Sequence, residues 1–525
     1  MNIVAVFNSM RKHGIVKTIK TVIIRKKRLN QQKNVELQIE EALALMKTEA
    51  DNSDEHIQDS YNHIVSILSN NKDVTVSEKI LRACLLITTQ IARDKEDLDN
   101  SYIFLSCKPF VEIISHNKKI ISRSDVLKRL TNEVRERLKD IEKKPRYVKY
   151  VKAKYVKEIY PAIYESESVY PIEKKIIVME NDSSPSPTSR VVGEAIKAQG
   201  KYTVKYTGLK RRKVPEIEYF ENGAVFIKDF ATAYALILTS ANDLLSFFDV
   251  REETKIIQLW HGVGMFKKCG YSRIDESKRS KKVYNSYRNY TYVTIASEEQ
   301  RWTFEESMNL PKGTDIIKPI GIARTDVLYD KSHRKEVLDI LYKLYPGING
   351  RKVILYAPTF RGIVADAKAP DKLDLFSMSQ LSDKYVLIIK HHGLVREYPS
   401  IPSELLGSFA FDLSKSKELG IDDLLAISDI CITDYSSIAF EFAIMERPII
   451  FFAYDKDDYI DKRGLYYGYE DITPGPIVKT TKEIVDYIRN INEMYDPKQV
   501  RDFRLKYVDA CDGRALERTI NLLDI

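Results

Sequence analysis

The spacing of apolar residues divides the chain into a helical first part and an alternating second part. From about residue 34 to residue 141, apolar side chains recur every three or four positions, as in Leu37, Ile39 and Leu43. That period is typical of amphipathic helices. Glycine is absent from the same stretch. We therefore predict a region of several helices, in which no site chemistry is recognisable.

From residue 174 onward, short β-branched and apolar runs alternate with helical patterns. Such runs are typical of strands that are covered on both faces of a parallel sheet. A charged helical stretch at 331–345 separates them into two sets. The predicted strands are 176–179, 224–227, 236–238, 255–259, 292–295 and 316–317 in the first set, and 352–356, 385–389, 430–432 and 448–452 in the second.

Two consecutive α/β sets predict two facing Rossmann-like domains with a cleft between them. In these sheets ligands bind beyond the carboxyl ends of the strands, so the residues that follow each strand are the candidates for chemistry. We place a basic start and a helical accessory region at 1–145, an N-terminal Rossmann-like domain at 146–330 and a C-terminal one at 331–525.

Composition narrows the class of protein. Apolar residues make up 44% and charged residues 30% of the 525 residues, which is typical of a soluble globular protein. The five cysteines lie far apart, so we expect reduced thiols in a cytoplasmic protein. No stretch has about 18 uninterrupted apolar residues, as a membrane-spanning helix requires.

Two basic segments leave their partners open. Residues 1–28 hold eight Lys or Arg and no acid, which fits a helix on an anionic membrane surface or, equally, an ordinary first strand and solvated helix. Lysines and tyrosines alternate at 143–170. That connector fits single-stranded nucleic acid or a membrane interface, but a linker helix is the simplest interpretation. We expect no nucleic-acid partner.

Polar residues follow the strands of the first set. His261 comes after the strand at 255–259 and precedes Gly262. A neutral imidazole there can remove a proton from a hydroxyl, although a structural histidine is the plainer alternative. Arg324 follows a glycine turn and can hold a phosphate, with Asp326 either orienting it or forming a structural ion pair.

The second set shows the same arrangement. Thr359 and Arg361 follow its first strand, and Lys390 and His392 follow its second strand. We expect the first pair at the mouth of the cleft and the second pair beside a pyrophosphate, whose growing negative charge they would stabilise. Adjacent residues of extended chain point to opposite sides, so one of His391 and His392 can reach the cleft while the other packs.

A further strand end carries a run of hydroxyls and an acid. Thr433 and Asp434 follow the strand at 430–432, and Ser436 and Ser437 lead into a helix. Backbone N–H groups at a helix N-terminus favour an anion such as phosphate, although an ordinary helix cap is the alternative. Cations and hydroxyls thus recur at the strand ends of both sets, which predicts a phosphate-bearing ligand in the cleft.

Missing motifs limit the chemistry further. The sequence contains neither a GxxxxGK[ST] phosphate loop nor a GxGxxG fingerprint, which argues against an ordinary ATPase or GTPase and against a hydride-transfer enzyme. Carboxylate or His/Cys clusters with metal-ligand spacing are missing too. We therefore predict a reaction that depends on histidine, cations and helix dipoles, with no protein-bound metal and no cofactor.

Seven motifs stand together in the α/β region. They are QLWHG at 258–262, GIARTD at 321–326, APTFRG at 357–362, TDYSS at 433–437, ERPIIFFAYD at 446–455, RGLYY at 463–467 and PGP at 474–476. This set resembles the CDP-glycerol glycerophosphotransferases, teichoic-acid and related capsule enzymes with a GT-B fold. The resemblance covers about residues 174–510. It departs from the family pattern at Gly393, where many members have proline, and at 263–265, where many have Thr-Pro-Leu.

The resemblance implies roles for individual residues. His261 matches the family's catalytic histidine, the base, and His392 matches a second histidine that contacts the donor pyrophosphate. Glu441 either holds a ribose hydroxyl or faces the helix surface. Donor-phosphate positions are matched by Arg324, Thr433, Ser436 and Ser437.

The resemblance also implies a reaction. His261 would deprotonate an acceptor hydroxyl, which attacks the β-phosphorus of CDP-glycerol or CDP-ribitol, and CMP leaves. His392, Arg324 and the helix N-terminus after Asp434 would neutralise charge on the departing phosphate. We expect glycerol phosphate as the transferred unit, with the acceptor on the N-terminal domain and the CDP-polyol on the C-terminal domain.

The family's acceptor is a lipid-linked saccharide or a growing polymer at the inner leaflet. This implies a peripheral protein on the cytoplasmic face of the cell membrane, with residues 1–28 against the anionic surface. Two rival hypotheses stand beside it: a GT-B glycosyltransferase that uses a nucleotide sugar, and a non-catalytic membrane- or nucleic-acid-binding protein.

Overall fold

The computed structural model describes most of the chain from residue 121 onward and parts of the chain before it. The described residues are 29–42, 63–64, 66–67, 76–77, 80–81, 85, 121–142 and 145–524 except 181–185, 210–213, 274–284, 349 and 364–365. The chain forms two compact units, Met1–Tyr155 and Val156–Ile525. The membrane-surface prediction for residues 1–28 falls outside the described residues.

The first unit is helical where it is described, as the apolar spacing predicts. Residues 29–42 are helical, and α1 (Asp125–Glu142) and α2 (Pro145–Lys154) follow later in the chain. Val35, Ile39 and Leu127 are buried. These helices therefore bury one apolar side each, which is how an amphipathic helix is stabilised.

The second unit begins in the Tyr/Lys connector, which is helical here. A π-helical turn at Tyr155–Ile159 leads into α3 (Tyr160–Ser168). The hydroxyl of Tyr160 donates to the carbonyl oxygen of Phe220 at 3.0 Å, and the ring of Tyr164 stacks on Phe248. These two tyrosines are core residues.

The first sheet has six parallel strands in the order β2-β1-β3-β4-β5-β6. The strands are β1 (Glu173–Glu180), β2 (Thr203–Gly208), β3 (Ala233–Leu238), β4 (Lys255–Gln258), β5 (Tyr292–Ile295) and β6 (Ile317–Pro319). We refer to this sheet and its helices as the first domain. Its helices are α4 (Pro187–Ala198), α5 (Glu216–Phe230) and α6 (Arg301–Met308).

The strand predicted at 224–227 is wrong, because this segment lies inside α5. Val225 is 71% exposed, whereas Phe226 and Ile227 are buried. A short apolar run at the buried side of a helix has the same composition as a buried strand, so periodicity over four residues does not separate the two.

The second sheet also has six parallel strands, in the order β12-β11-β10-β7-β8-β9. This is the doubly wound order in which the crevice opens between the first and fourth strands, here β7 and β10. We refer to this sheet and its helices as the second domain. The strands are β7 (Lys352–Tyr356), β8 (Tyr385–Ile389), β9 (Ala410–Asp412), β10 (Ile430–Thr433), β11 (Ile449–Phe452) and β12 (Ile477–Val478).

The remaining helices cover the second sheet and close the chain. They are α7 (Lys331–Leu344), α8 (Leu375–Ser379), α9 (Ile421–Ile427), α10 (Ile438–Ala443), α11 (Lys456–Arg463), α12 (Thr481–Arg489), α13 (Ile491–Met494), α14 (Pro497–Tyr507) and α15 (Ala515–Asn521). None of the described helices is both long and apolar enough to span a membrane.

Apolar packing joins the two domains. The core on one face of the second sheet continues into Val263, Phe266 and Ile322 of the first domain. The chain then crosses back, since Leu523 after α15 packs in the core of the first sheet. These contacts hold the carboxyl ends of the two sheets toward one another.

Candidate active site

A cavity of about 630 Å³ lies where the loops of the two sheets meet. Its walls come from the loop after β4 and from the loops after β7, β8 and β10. Seven predicted site residues line it: His261, Thr359, Lys390, His392, Ser436, Ser437 and Glu441. The other four predicted residues, Arg324, Arg361, Thr433 and Asp434, lie outside this lining and contact other protein groups.

The imidazole of His261 is fixed by one backbone group. Its Nδ1 lies 3.0 Å from the carbonyl oxygen of Thr239. Because a carbonyl oxygen only accepts hydrogen bonds, Nδ1 carries the proton and Nε2 of the neutral ring keeps its lone pair. Burial in the cleft lowers the pKa of His261, and the charge of Arg324 lowers it further, against the hydrogen bond to Thr239. The ring is therefore neutral at pH 7 and suited to act as a base.

Sequence reasoning missed the residues behind His261. Thr239 donates from its hydroxyl to Glu180 at 2.9 Å, and Glu180 also accepts from the backbone N–H of Ser186 at 3.2 Å. Glu180 ends β1 and Thr239 follows β3, the two neighbouring strands where the strand order of the first sheet reverses. Ligands bind at such a reversal of the strand order, so a search of the strand ends next to it would have identified Glu180 and Thr239.

A glycine lets the His261 loop pack closely on the second domain. A Cβ on Gly264 would lie 2.4 Å from the ring of Phe440 in α10, and a Cβ on Gly262 would lie 3.4 Å from the Oγ of Ser437. Contacts below 3.0 Å are not tolerated without a shift. Gly264 therefore allows the loop to pack directly on α10, next to the turn that carries the two serines, whereas the contact at Gly262 is an ordinary one.

Two lysines of the same loop are brought to the cavity by a contact between the domains. The backbone N–H of Lys268 donates to the carbonyl of Gly464 at 3.1 Å, and Lys267 pairs with Leu465 in an antiparallel bridge. Both lysines line the cavity. In the sequence they end a Gly-x-x-Lys-Lys run at 264–268, in the segment that follows the strand at 255–259.

His392 shows the opposite tautomer to His261. Its Nδ1 accepts a hydrogen bond from the backbone N–H of Leu394 at 3.2 Å, so the proton of the neutral ring is on Nε2. Partial desolvation in the cleft and, after it, the nearby charge of Lys267 lower the pKa of His392. His392 is thus suited to donate a hydrogen bond to a ligand oxygen.

The neighbours of His392 are more strongly engaged. The ammonium of Lys390 donates to the carbonyl oxygens of Leu413 at 2.8 Å and Leu419 at 3.4 Å. His391 is buried and stacks on Tyr398 at 5.3 Å between ring centroids. His391 is the buried member of the pair and His392 the exposed one, and both line the cavity.

Ser436 and Ser437 are half-buried at the turn after β10. Helix α10 has only six residues, so its dipole is small. The phosphate site predicted at this turn would therefore depend on hydroxyls and nearby cations more than on the helix itself. The hydroxyl of Thr359 lies on the same cavity, is buried, and has no hydrogen-bond partner among the described residues.

Thr433, Asp434 and Arg361 hold the loops of the second domain together. The hydroxyl of Thr433 donates to the carbonyl of Ala357 at 2.8 Å. Asp434 accepts from the backbone N–H of Thr359 at 2.8 Å and from Arg361 at 2.9 Å. The guanidinium of Arg361 is otherwise bound in a fork to Asp455 at 2.7 and 3.0 Å. A direct contact of these three residues with a ligand stays a prediction.

Arg324 forms an ionic cluster at the cleft with two carboxylates of the second domain. Its guanidinium donates to Asp422 and to Glu441. Burial alone would lower the pKa of Arg324, but the two carboxylates outweigh it and raise that pKa, so the group stays charged. Burial raises the pKa of Glu441. Asp326 is not the partner of Arg324, since it accepts from the backbone N–H groups of residues 515 and 516 at 3.1 and 2.8 Å.

Known proteins resemble this chain in sequence and in fold. Residues 163–524 match the profile of the CDP-glycerol:poly(glycerophosphate) glycerophosphotransferase family. The chain is 34% identical to a teichoic acid poly(ribitol-phosphate) polymerase of Bacillus spizizenii. This alignment of 366 residues covers 68% of this chain and 57% of the polymerase. It is 32% identical to a teichoic acid ribitol-phosphate primase of the same organism. This alignment of 361 residues covers 67% of this chain and 90% of the primase.

A solved structure of the wall teichoic acid polymerase TagF has the same architecture. The TM-score is 0.56 at 23% sequence identity, over 72% of this chain and 97% of that one. At this identity the likeness shows the fold alone, which is GT-B as predicted.

Proposed function

The chain belongs to the CDP-glycerol:poly(glycerophosphate) glycerophosphotransferase family, and on that premise we propose the reaction that it catalyses. It transfers glycerol phosphate or ribitol phosphate from a CDP-polyol to a hydroxyl of a membrane lipid-linked acceptor, and it releases CMP. The product belongs to teichoic acid or a related cell-surface polymer.

The observation that carries this proposal is the pair of opposite histidine tautomers in one cavity. His261 offers an unprotonated Nε2, fixed by Nδ1–H to Thr239. His392 offers Nε2–H, fixed by the backbone N–H of Leu394 at Nδ1. A phosphoryl transfer from a nucleoside diphosphate needs both functions, a base for the attacking hydroxyl and donors for the phosphate oxygens.

In the proposed step, Nε2 of His261 takes the proton of the acceptor hydroxyl while the oxygen of that hydroxyl attacks the β-phosphorus of the CDP-polyol. The bond between this phosphorus and the bridging oxygen breaks, and CMP leaves with the electron pair. Positioning and electrostatic stabilisation supply most of the catalysis in such transfers. The proton on His261 passes to solvent after the product leaves.

We propose that the donor phosphates contact cationic and hydrogen-bond-donating side chains of the cavity. We assign His392, Lys267 and Lys268 to the negative charge on the leaving phosphate. The hydroxyls of Thr359, Ser436 and Ser437 complete the donor side, together with any free N–H of Lys390.

Arg324, Arg361 and Asp434 act through other residues in this proposal. Burial raises the pKa of Glu441, and the charge of Arg324 counters that effect. Arg324 also fixes Glu441 at the cavity wall, where a ribose hydroxyl would meet it. Arg361 and Asp434 hold the backbone at Thr359. In this proposal the first domain takes the acceptor and the second domain takes the CDP-polyol, with Lys267 and Lys268 of the first domain contacting the donor phosphate.

The membrane part of the proposal depends on sequence alone. The eight cations and no acid of residues 1–28 suit the anionic cytoplasmic leaflet, where a lipid-linked acceptor is displayed. A vesicle-sedimentation assay with and without anionic lipid compares the full chain with a variant lacking residues 1–28. Equal sedimentation of the two proteins contradicts this assignment.

A donor panel tests the reaction itself. The purified chain is incubated with a lipid-linked acceptor analogue and with CDP-glycerol, CDP-ribitol or a UDP-sugar, and products are analysed by mass spectrometry. We expect CMP and an acceptor heavier by one or more polyol phosphates. Glycosyl transfer from the UDP-sugar, with no reaction of either CDP-polyol, contradicts the proposal.

A further inference from the structure

The backbone at Trp260 has a conformation that large side chains rarely adopt. Its φ is +59°, in the left-handed region, where the Cβ of an L-residue crowds the following carbonyl oxygen. Trp260 stands directly before His261. Strained backbone of this kind persists only where surrounding contacts hold it, and it clusters at functional sites.

The side chain of Gln258, the last residue of β4, makes such a contact. Its Oε1 accepts a hydrogen bond from the backbone N–H of Trp260 at 2.9 Å, and its Nε2 donates to the Oη of Tyr290 at 3.1 Å. Gln258 is 0% and Tyr290 3% exposed. Because a backbone N–H only donates, the N–H of Trp260 fixes Oε1 of the amide toward itself, and Nε2 then faces the hydroxyl oxygen of Tyr290.

The turn at Trp260 determines where the imidazole of His261 lies. The two rings are 4.5 Å apart between centroids, and Nδ1 of His261 reaches the carbonyl of Thr239 at 3.0 Å. A rotation at residue 260 would move Nδ1 away from that carbonyl and move Nε2 with it. A displacement of about 1 Å in a reacting group can lower a rate by about 100-fold.

We propose that Gln258 is a positioning residue, which holds the left-handed turn at Trp260 and thereby orients His261 for proton transfer. The catalytic consequence rests on the proposed function, but the orientation of His261 is measurable without turnover. Gln258 is not among the residues that line the cavity. Its replacement therefore changes the chemical step and leaves donor binding intact.

Kinetics of three variants test this proposal. Gln258→Met keeps the length of the side chain and removes the acceptor, so kcat for CMP release falls by about 10- to 100-fold while KM for the CDP-polyol stays within about twofold. Tyr290→Phe removes the acceptor of the Gln258 Nε2–H but keeps the hydrogen bond between Oε1 and Trp260. Its kcat therefore falls by a smaller factor. As a control, Thr254→Val removes a buried hydroxyl that donates to the carbonyl of Ala233 at 3.0 Å near the other end of β4, and its kcat stays within about twofold.

A spectroscopic measurement separates this proposal from the proposed function. In ¹⁵N-histidine NMR, the signal of His261 is assigned by its loss in His261→Ala. The wild type shows the Nδ1–H tautomer, and Gln258→Met shows a mixture of tautomers. A wild type that releases no CMP contradicts the proposed function only.

Three results overturn the positioning role. The first is that His261 keeps the wild-type tautomer in the folded variants. The second is a kcat equal to that of the wild type in both Gln258→Met and Tyr290→Phe, and the third is a raised KM for the CDP-polyol with unchanged kcat. If circular dichroism shows that Gln258→Met does not fold, Tyr290→Phe decides by the same criteria.

Discussion

Arg324 and Glu441 form a buried ion pair between residues that are 117 positions apart in the chain. Arg324 follows the last strand of the first domain, and Glu441 lies in α10 of the second domain. The two residues are 8% and 4% exposed. The guanidinium also binds Asp422, so one cation pairs with two carboxylates, of which Glu441 lines the cavity.

Loss of this cation should destabilise the protein strongly. Arg324→Met removes the cationic partner of the buried Glu441 and of the partly buried Asp422, and breaking a buried ion pair costs about 3–5 kcal/mol. Urea unfolding measures the free energy of unfolding of Arg324→Met and of Arg324→Met/Glu441→Gln. We expect the double variant to be the more stable of the two, because it removes one unpaired charge. A double variant that is less stable than the single one contradicts this account.

Gly264 should not tolerate a side chain. The Cβ of Gly264→Ala would lie 2.4 Å from the ring of Phe440, and overpacking costs about 1–3 kcal/mol. We expect a lower melting temperature and a lower kcat, because the His261 loop must move away from the serine turn. Phe440→Leu in the same chain should restore part of both.

Gly347 provides the matched control for this substitution. A Cβ added at Gly347 would lie 3.5 Å from its nearest neighbouring atom. Gly347 lies in a 3₁₀ turn before β7. Gly347→Ala should leave kcat unchanged. Equal effects of the two glycine substitutions would show that contact with Phe440 is not the cause.

Thr359 offers a test that separates binding from stability. Its buried hydroxyl lacks a partner among the described residues, so Thr359→Val should leave the free energy of unfolding unchanged or raised. We expect KM for the CDP-polyol to rise about tenfold, which corresponds to about 1.4 kcal/mol.

The comparison variant is Thr433→Val. The hydroxyl of Thr433 donates to the carbonyl of Ala357, so its loss should cost about 1 kcal/mol of stability with little direct change in KM. If Thr433→Val raises KM more than Thr359→Val does, Thr433 contacts the donor and our assignment of the two hydroxyls is reversed.

The pH dependence should follow the base. Protonated His261 cannot accept the hydroxyl proton, so kcat/KM falls as the pH falls through its pKa. Burial lowers this pKa, so the midpoint of the acid limb should lie below about 6.5, the ordinary value for histidine. The carboxylate of Glu180 raises the pKa of His261, so Glu180→Gln should shift the acid limb to lower pH. A shift in the opposite direction would assign the limb to another group.

Much of the architecture is predictable because the buried strands are continuous apolar runs. Segments such as β7 and β8 are covered on both faces, and their composition alone identifies them. β2 is missed because it is an edge strand with partly exposed side chains, and β9 and β12 are missed because they have three and two residues.

The site is less predictable than the sheets. Strand ends identify His261, His392 and the serine turn, since parallel strands bring their carboxyl ends to one edge. The partners of charged residues are not visible in the sequence, because they are distant along the chain. Arg361 binds Asp455, 94 positions away, and Asp326 meets the start of α15, 189 positions away.

CMP release by wild-type protein and by His261→Ala is the most direct test of the central claim. Both proteins are given CDP-glycerol or CDP-ribitol with a lipid-linked acceptor analogue, and circular dichroism confirms that both are folded. We predict that the wild type releases CMP in step with addition of polyol phosphate to the acceptor. We predict that His261→Ala loses at least about 100-fold in kcat, since general-base catalysis contributes about 10²–10⁴. Wild-type turnover by folded His261→Ala would contradict the claim that this histidine is the base.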